Sequence, residues 1–374
     1  MQIENRLRKD LNKRLKENNL RSLSFNNGID FFSNDYLGFA RNKALHQRIS
    51  QVSNQNSING ATGSRLLSGN SEFCERIESQ LAHDFGAEAC LIFNSGYTAN
   101  MAIISAIAKR GDTIIYDELA HACIKDGARL TLADRFSFKH NDLDDLKKKI
   151  SKAKGACFLV VEAIYSMDGD EAPLVEITKL AKEYEALIIV DEAHATGIYG
   201  NNGAGLIDKL GLEKDVFARI LTFGKARGIH GAAVIGNNVL KQYLVNFARP
   251  FIYTTALPPH CLIAIEQSFN YLKYNLPLQE SIREKVALFN KLFKGKLTGS
   301  YQKIERAHPI QSIVIPGNEN VKSVAKKIIS NNFDVRPILS PTVKKDQERL
   351  RICLHTFNSN DEISALIDTL ANLK

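Results

Sequence analysis

ALIIVDEAHATG (186–197) and, a little further on, ARILTFGKARG (218–228) decide how this chain is read. The core of the first, LIIV, is apolar without alternation, and Asp191 closes it. Strands buried on both faces, as in a parallel sheet, have that pattern, whereas a half-exposed strand alternates. The second has the same form: ILTF is apolar, and Lys225 follows it among small residues.

Outward from this pair the pattern repeats. ACLIFN (89–94), DTIIYD (112–117) and ACFLVVEA (156–163) are further apolar runs, with helical stretches such as 71–85 and 173–185 between them. That is the βαβ rhythm of an α/β domain with a mostly parallel sheet, expected over 44–264. Before it, residues 1–43 form an N-terminal helix and arm. Ile3, Leu7, Leu11 and Leu15 recur every four residues among charges, an amphipathic helix over 3–17 suited to packing on the body or on a partner subunit. After it, 265–374 reads as a smaller α+β domain. Its expected elements are a helix over 278–298, strand IQSIVIP (310–316), helix 321–331, strands FDVRPI (333–338) and RLRICL (349–354), and a last helix opened by a Ser359/Glu362 capping box.

Composition excludes several classes. At 374 residues, two domains are expected, and 44% hydrophobic with 24% charged residues is an ordinary globular balance. No apolar run approaches the roughly 18 residues that span a bilayer, and the charged start MQIENRLRKDLNKR lacks a signal peptide's apolar core. A cytoplasmic protein with no membrane contact is expected. The six cysteines are scattered without C-x-x-C spacing, which argues against a metal centre or a disulfide framework. The net charge of +8 suits either a lysine-rich surface or attraction for an anionic partner. Its spread along the chain argues against nucleic acid.

Polar residues cluster just past the strand ends, where open α/β sheets bind ligands. Ser95-Gly96-Tyr97 follows the first strand and opens a helix expected to start near Ala99. A helix N-terminus behind a glycine offers free N–H groups to a phosphate, although a plain turn has the same sequence. Asp191 with His194 suits a partner that is a protonated ring nitrogen, or a simple cap. Lys225 suits a desolvated amine able to attack a carbonyl, or an exposed loop lysine.

Taken together, a phosphate loop, D-x-x-H, and a lysine 34 positions beyond the aspartate resemble the fold-type-I pyridoxal-phosphate (PLP) enzymes. The resemblance narrows with SNDYLGFA (33–40), GSRLLSGN (63–70), SGYTAN (95–100), HACIKDGAR (121–129), HND (140–142), SMDGD (166–170), DEAHATG (191–197), TFGK (222–225) and IYTTALPP (252–259). In that order they resemble the α-oxoamine synthases, which condense an amino acid with an acyl thioester and release carbon dioxide. The segments GSRLLSGN and IYTTALPP imply the biotin-pathway member, which joins L-alanine to a pimeloyl thioester carried on coenzyme A or acyl carrier protein. Members using glycine or serine, an aminotransferase and a non-catalytic scaffold are the alternatives.

The resemblance implies roles. Lys225 would carry the cofactor as a Schiff base, His121 would stack on its ring, and Asp191 would hold its pyridine nitrogen. Ser166 and His194 would lie near the phenolic oxygen, and Ser95, Gly96, Tyr97 and Thr222 would border the phosphate. Thr254 or Thr255 would reach the phosphate of the other subunit, implying a homodimer with shared active sites. Arg351, with Arg349 as the alternative, would hold the substrate carboxylate, and Arg21 and Asn34 would line the entrance. The chain departs from the family at Ala61-Thr62 and Ala195, where glycines are frequent, and at Arg227, commonly apolar.

Overall fold

The computed structural model describes residues 2–23, 25, 27–297, 301–303 and 306–373. They form two compact units, one of 37–166 with 170–279, the other of 1–36, 167–169 and 280–374. In this division the chain leaves the large unit within the helix Pro277–Lys296, later than the expected boundary at 264, and enters it at Leu37.

The large unit is built on a seven-stranded sheet. From one edge its strands are Ala89–Phe93, Ala232–Gly236, Ala218–Thr222, Leu187–Asp191, Cys157–Glu162, Thr113–Asp117 and Asp134–Phe138. All neighbours pair in parallel except Ala232–Gly236, which runs antiparallel to both of its own. The α/β class with a mostly parallel sheet is therefore the observed one. Apolar runs without alternation make this possible because helices cover both faces. Ile220 and Leu91 face one buried cluster, with Ile103 and Ile104 of the helix Gly96–Ile107. Their chain neighbours Leu221 and Ile92 face another, with Leu81 and Phe269. Each such side chain contributes about 1.5–3 kcal/mol on burial.

Two strands have no counterpart in the expected set. Asp134–Phe138 is an edge strand, exposed at its first four residues. Ala232–Gly236 has two alanines and a glycine among its five residues. The helix expected near Ala99 starts instead at Gly96, because Ser95 serves as its cap and accepts the Thr98 N–H at 3.2 Å.

The small unit carries a four-stranded antiparallel sheet, in the order Arg336–Ile338, Arg349–Cys353, Ile310–Val314, Gln302–Lys303. The single strand expected over 333–338 is two. Phe333–Asp334 pairs in parallel with Ile29–Asp30, and Arg336–Ile338 joins the larger sheet. Helices Asn318–Ser330 and Asn360–Ala371 belong to this unit, the latter with the full Ser359/Glu362 capping box and with Ile363, Leu366, Ile367 and Leu370 buried. The helix expected over 278–298 is Pro277–Lys296, and its expected last residue lies outside the described ones. The N-terminal helix, Gln2–Lys16, buries none of its side chains, and its four-residue stripe stays more than half exposed. Among the described residues, no helix is long and apolar enough to cross a membrane.

Candidate active site

The site grows out of the carboxyl ends of the parallel strands. Asp191, the last residue of Leu187–Asp191, is buried. One of its oxygens accepts the Ala193 N–H at 2.8 Å, and the other accepts the Asn100 side-chain amide at 2.7 Å. Asn100 lies one turn into the helix Gly96–Ile107 and also donates to the Gly96 carbonyl, so this buried amide ties the helix start to the strand end. These donors fix the orientation of the carboxyl group, and an oriented acceptor is what a protonated pyridine nitrogen requires.

Lys225 stands three residues beyond the strand Ala218–Thr222. Its Nζ lies 2.8 Å from His194 Nε2. The turn after it closes with the Gly228 N–H donating to the Lys225 carbonyl at 2.8 Å. Gly228 is left-handed (φ 63°), and a Cβ there would stand 2.3 Å from the Ala40 nitrogen, so glycine is required.

Gly96 is constrained for another reason. A Cβ on it would meet Thr222 Oγ1 at 2.2 Å. Glycine alone brings the helix start, with its free N–H groups, up to the Thr222 hydroxyl, leaving a small cradle of Ser95, Gly96 and Thr222. With a lysine, a buried carboxylate and a phosphate cradle at three strand ends of one sheet, the donor set fits PLP.

His121 precedes the helix Ala122–Arg129 and caps it through Nδ1, which accepts the Cys123 N–H at 3.3 Å. That fixes the ring, whose edge-to-face contact with Tyr97 spans 6.2 Å between centroids. Burial pushes the imidazole below its usual value, and the Lys225 charge adds to this against the pull of Asp191. The His121 backbone N–H donates to Glu162 at 2.7 Å. Glu162 ends the neighbouring strand in register with Asp191, and burial first, then the Asp191 charge, push its carboxyl up to about 8.

Ser166 is half-buried in the turn after Tyr165. Thr254 is half-buried and Thr255 exposed, its carbonyl accepting from the Asn94 side chain at 3.0 Å. The large unit thus brings Ser95, Gly96, Thr222, Asp191, His194 and Lys225 together at its strand ends, with Tyr97 and His121 beside them.

The small unit holds the remaining candidates. Arg351 Nη2 donates to the Asn34 side chain at 2.9 Å, and Arg351 is 7% exposed. Arg349, its strand neighbour but one, is paired with Asp168 and donates to the Gln347 carbonyl. A guanidinium already committed to a carboxylate is the poorer carboxylate receptor, which favours Arg351. Arg21 is exposed.

Three contributors escaped the sequence reading. Glu162 closes CFLVVE as Asp191 closes LIIVD, so the same strand-end signal was present. Asn100 is a lone buried amide on an apolar helix. Asp126 accepts the Tyr97 hydroxyl and pairs with Arg129 at 2.8 Å; it lies one turn along the helix that His121 caps.

Residues 26–370 match the aminotransferase class I and II family. An 8-amino-7-oxononanoate synthase from Lysinibacillus sphaericus is 36% identical over 345 residues, covering 92% of this chain and 88% of its own length. One from Emericella nidulans is 35% identical over 364 residues, with the same coverage. Among solved structures, the 8-amino-7-oxononanoate synthase of Francisella tularensis superposes with a TM-score of 0.80 at 28% identity, covering 92% of this chain and 97% of that one. A serine palmitoyltransferase from Sphingomonas wittichii gives 0.86 at 27%, covering 92% and 86%.

Proposed function

The chain belongs to the family of class I and II aminotransferases, and we propose that within it the protein condenses L-alanine with a pimeloyl thioester. The products are 8-amino-7-oxononanoate, carbon dioxide and the free thiol, a step of biotin biosynthesis. The protein is a PLP-dependent acyltransferase. The observation that carries this reading is the 35–36% identity over 92% of the chain to curated relatives of that name. A serine palmitoyltransferase superposes with the higher TM-score, 0.86 against 0.80, so a serine-using condensation is the alternative.

When bound, PLP supplies an electron sink for the carbon whose bonds are made and broken. The chain's own groups do the rest. Asp191, oriented by Asn100 and the Ala193 N–H, would hold the proton on the pyridine nitrogen. Ser95, Gly96, Tyr97 and Thr222, with Thr254 or Thr255 of a second subunit, would hold the phosphate. His121 would stack on the ring, and Ser166 and His194 would hydrogen-bond near the phenolic oxygen. Lys225 would carry the cofactor between turnovers. Once displaced by the amino acid, it would act as general base at the α carbon, returning the proton after decarboxylation. Arg351, beside Asn34, would hold the α-carboxylate with two parallel hydrogen bonds, fixing which bond is broken. Arg21 would lie at the entrance, and the active form would be a homodimer.

The test is thiol release with L-alanine, glycine and L-serine against acetyl, pimeloyl and palmitoyl thioesters, with mass analysis of the product. Alanine with a pimeloyl thioester should give the highest kcat/KM. A higher value for serine with palmitoyl-CoA, or for glycine with acetyl-CoA, replaces the reading with that member's reaction. Coenzyme A and acyl carrier protein are compared as donors in the same assay.

A further inference from the structure

A second buried polar cluster lies in the large unit, at the end of a strand three along the sheet from the one that leads to Lys225, and the reading above gives it no task. His140 stands between two carboxylates. Its Nδ1 faces Asp117 at 3.0 Å and its Nε2 faces Asp170 at 2.6 Å. Carboxylate oxygens only accept, so both ring nitrogens carry protons and the ring is a cation. Asp117 is fully buried and Asp170 nearly so. Burial works against the charge on the ring, and the two carboxylates overcome it, holding His140 up to about 10. Asn141, left-handed at φ 53°, completes the knot. Its N–H donates to Asp117 at 3.0 Å and its side chain to Asp170 at 3.1 Å.

What the knot joins gives it meaning. Asp117 ends the strand Thr113–Asp117 and accepts the Leu119 N–H at 2.8 Å, shaping the short segment that runs to His121. Asp170 closes the neck of a narrow loop. The Tyr165 N–H donates to its carbonyl at 3.0 Å, Ile164 bridges Glu171, and the Ala172 N–H donates to the Ala163 carbonyl. Ser166 is the first residue past that neck. The His140 ring also packs edge-to-face on Tyr165, centroids 4.6 Å apart, so it grips both sides of the neck.

We propose that His140 is a positioning residue for the reaction: by joining Asp117 to Asp170 it fixes the loop that carries Ser166 to the strand end that leads to His121. This rests on the reading in which Ser166 and His121 flank the cofactor. Charge-assisted hydrogen bonds at both nitrogens hold better than neutral ones, and removing the ring leaves two buried carboxylates facing each other. An uncharged residue at 140 should therefore loosen the loop.

The experiment compares the holoenzymes of wild type, His140→Gln, Asp170→Asn, Ser166→Ala and His140→Gln/Ser166→Ala. Hydrogen exchange over 163–172, read by mass spectrometry, reports the loop without reference to turnover. The visible band of the bound cofactor and its pH midpoint report the surroundings of its phenolic oxygen. We expect His140→Gln to speed exchange over 163–172 at least tenfold and to lower kcat at least tenfold, with the amino-acid KM within threefold. Its band should shift in the same direction as that of Ser166→Ala, and the double variant should show no further shift. Asp170→Asn, which keeps the shape and one carboxylate, should show the same pattern more weakly, and it carries the test should His140→Gln not fold. Unchanged exchange overturns the clamp. Faster exchange with an unchanged band and kcat overturns the positioning role. A band shift in His140→Gln with none in Ser166→Ala upholds the clamp and removes Ser166 from the cofactor, so the two failures are distinguishable.

Discussion

Replacing Arg227 with methionine should leave the protein as stable as before, or more so. The guanidinium is 1% exposed, two residues past Lys225. Its Nη2 donates to the Asn202 carbonyl at 3.0 Å and the Gly203 carbonyl at 3.3 Å, and the group lies 3.9 Å over the Phe269 ring. Its Nε and Nη1 find no hydrogen-bond partner among the described residues. Burial pushes this arginine down to about 9, and the charge of Asp84 recovers only part of that. At about 1.4 kcal/mol per pK unit, the displacement is on the order of 4–5 kcal/mol against the charged form. The ring contact returns up to about 2 kcal/mol when desolvated. Methionine keeps a favourable sulfur–ring contact of about 0.3–1.5 kcal/mol, and the smaller side chain costs about 1 kcal/mol in packing. Neither carbonyl is stranded, since Asn202 is exposed and the Gly203 carbonyl already accepts the Gly197 N–H. The balance is a gain of roughly 1–3 kcal/mol at pH 7. The sign of its pH dependence follows. A cation with a depressed folded value destabilises fully below that value, and the penalty fades as pH rises through it. The advantage of Arg227→Met should therefore hold up to about pH 9 and shrink above. Urea unfolding of both proteins at pH 7, 9 and 10 measures it. A loss above about 1 kcal/mol at pH 7, or an advantage that grows with pH, refutes the reasoning.

Four further outcomes are expected. Borohydride reduction of the yellow holoenzyme should fix the cofactor to a single peptide containing Lys225, and Lys225→Ala should still bind PLP weakly yet fail to exchange the α proton of alanine; a label on any other lysine removes the assignment. Asp191→Asn should keep the fold and lose turnover by several tenfold steps, each about 1.4 kcal/mol of barrier, and near-normal turnover would rule its role out. Glu162→Gln should abolish a pH dependence of apoprotein stability: a carboxyl raised to about 8 favours the folded state at low pH and loses that support as pH rises from the ordinary carboxyl range through 8, so the wild type should weaken relative to the variant over that window. Mixing Lys225→Ala with a Thr254→Ala/Thr255→Ala variant should restore part of the activity through heterodimers holding one intact site, and no recovery after proven subunit exchange contradicts a shared site.

The sequence showed the fold where burial is uniform and hid it where burial is partial. LIIV and CFLVV are apolar on both faces because helices cover both faces, so neither could be mistaken for a loop. DRFSF at the sheet edge lacks that covering, and AAVIG has only Val234 and Ile235 as large apolar side chains. Lys225 and Asp191 were legible because a charge next to a buried strand is costly without a partner. Asn100 was not, since the acceptor its side-chain amide reaches, Asp191, is 91 residues away and comes beside it only in three dimensions. Resemblance alone favours Arg351 over Arg349, the two being two residues apart on one strand; in three dimensions they differ, Arg349 pairing with Asp168 and Arg351 lying beside Asn34.

Three adjacent parallel strands end in an acid, Asp117, Glu162 and Asp191; D-x-x-H and the family resemblance single out Asp191, but an apolar run closed by an acid does not by itself distinguish them. Their surroundings do. Asp117 is saturated: both oxygens already serve His140, and the Leu119 and Asn141 N–H groups take further positions, so a second cation would displace a charged partner. Glu162 is fully buried, and its carboxyl is raised to about 8, so near neutral pH it leans toward the protonated form and makes a poor counter-ion. Asp191 differs from both. Its two donors are an amide side chain and a backbone N–H, which orient the carboxylate without neutralising it. Its charge pulls upward on both the His121 imidazole and the Glu162 carboxyl. The three acids thus differ in what they hold: one closes a structural knot, one holds the His121 backbone, and Asp191, with only neutral donors on its oxygens, is the one we propose to face a pyridinium.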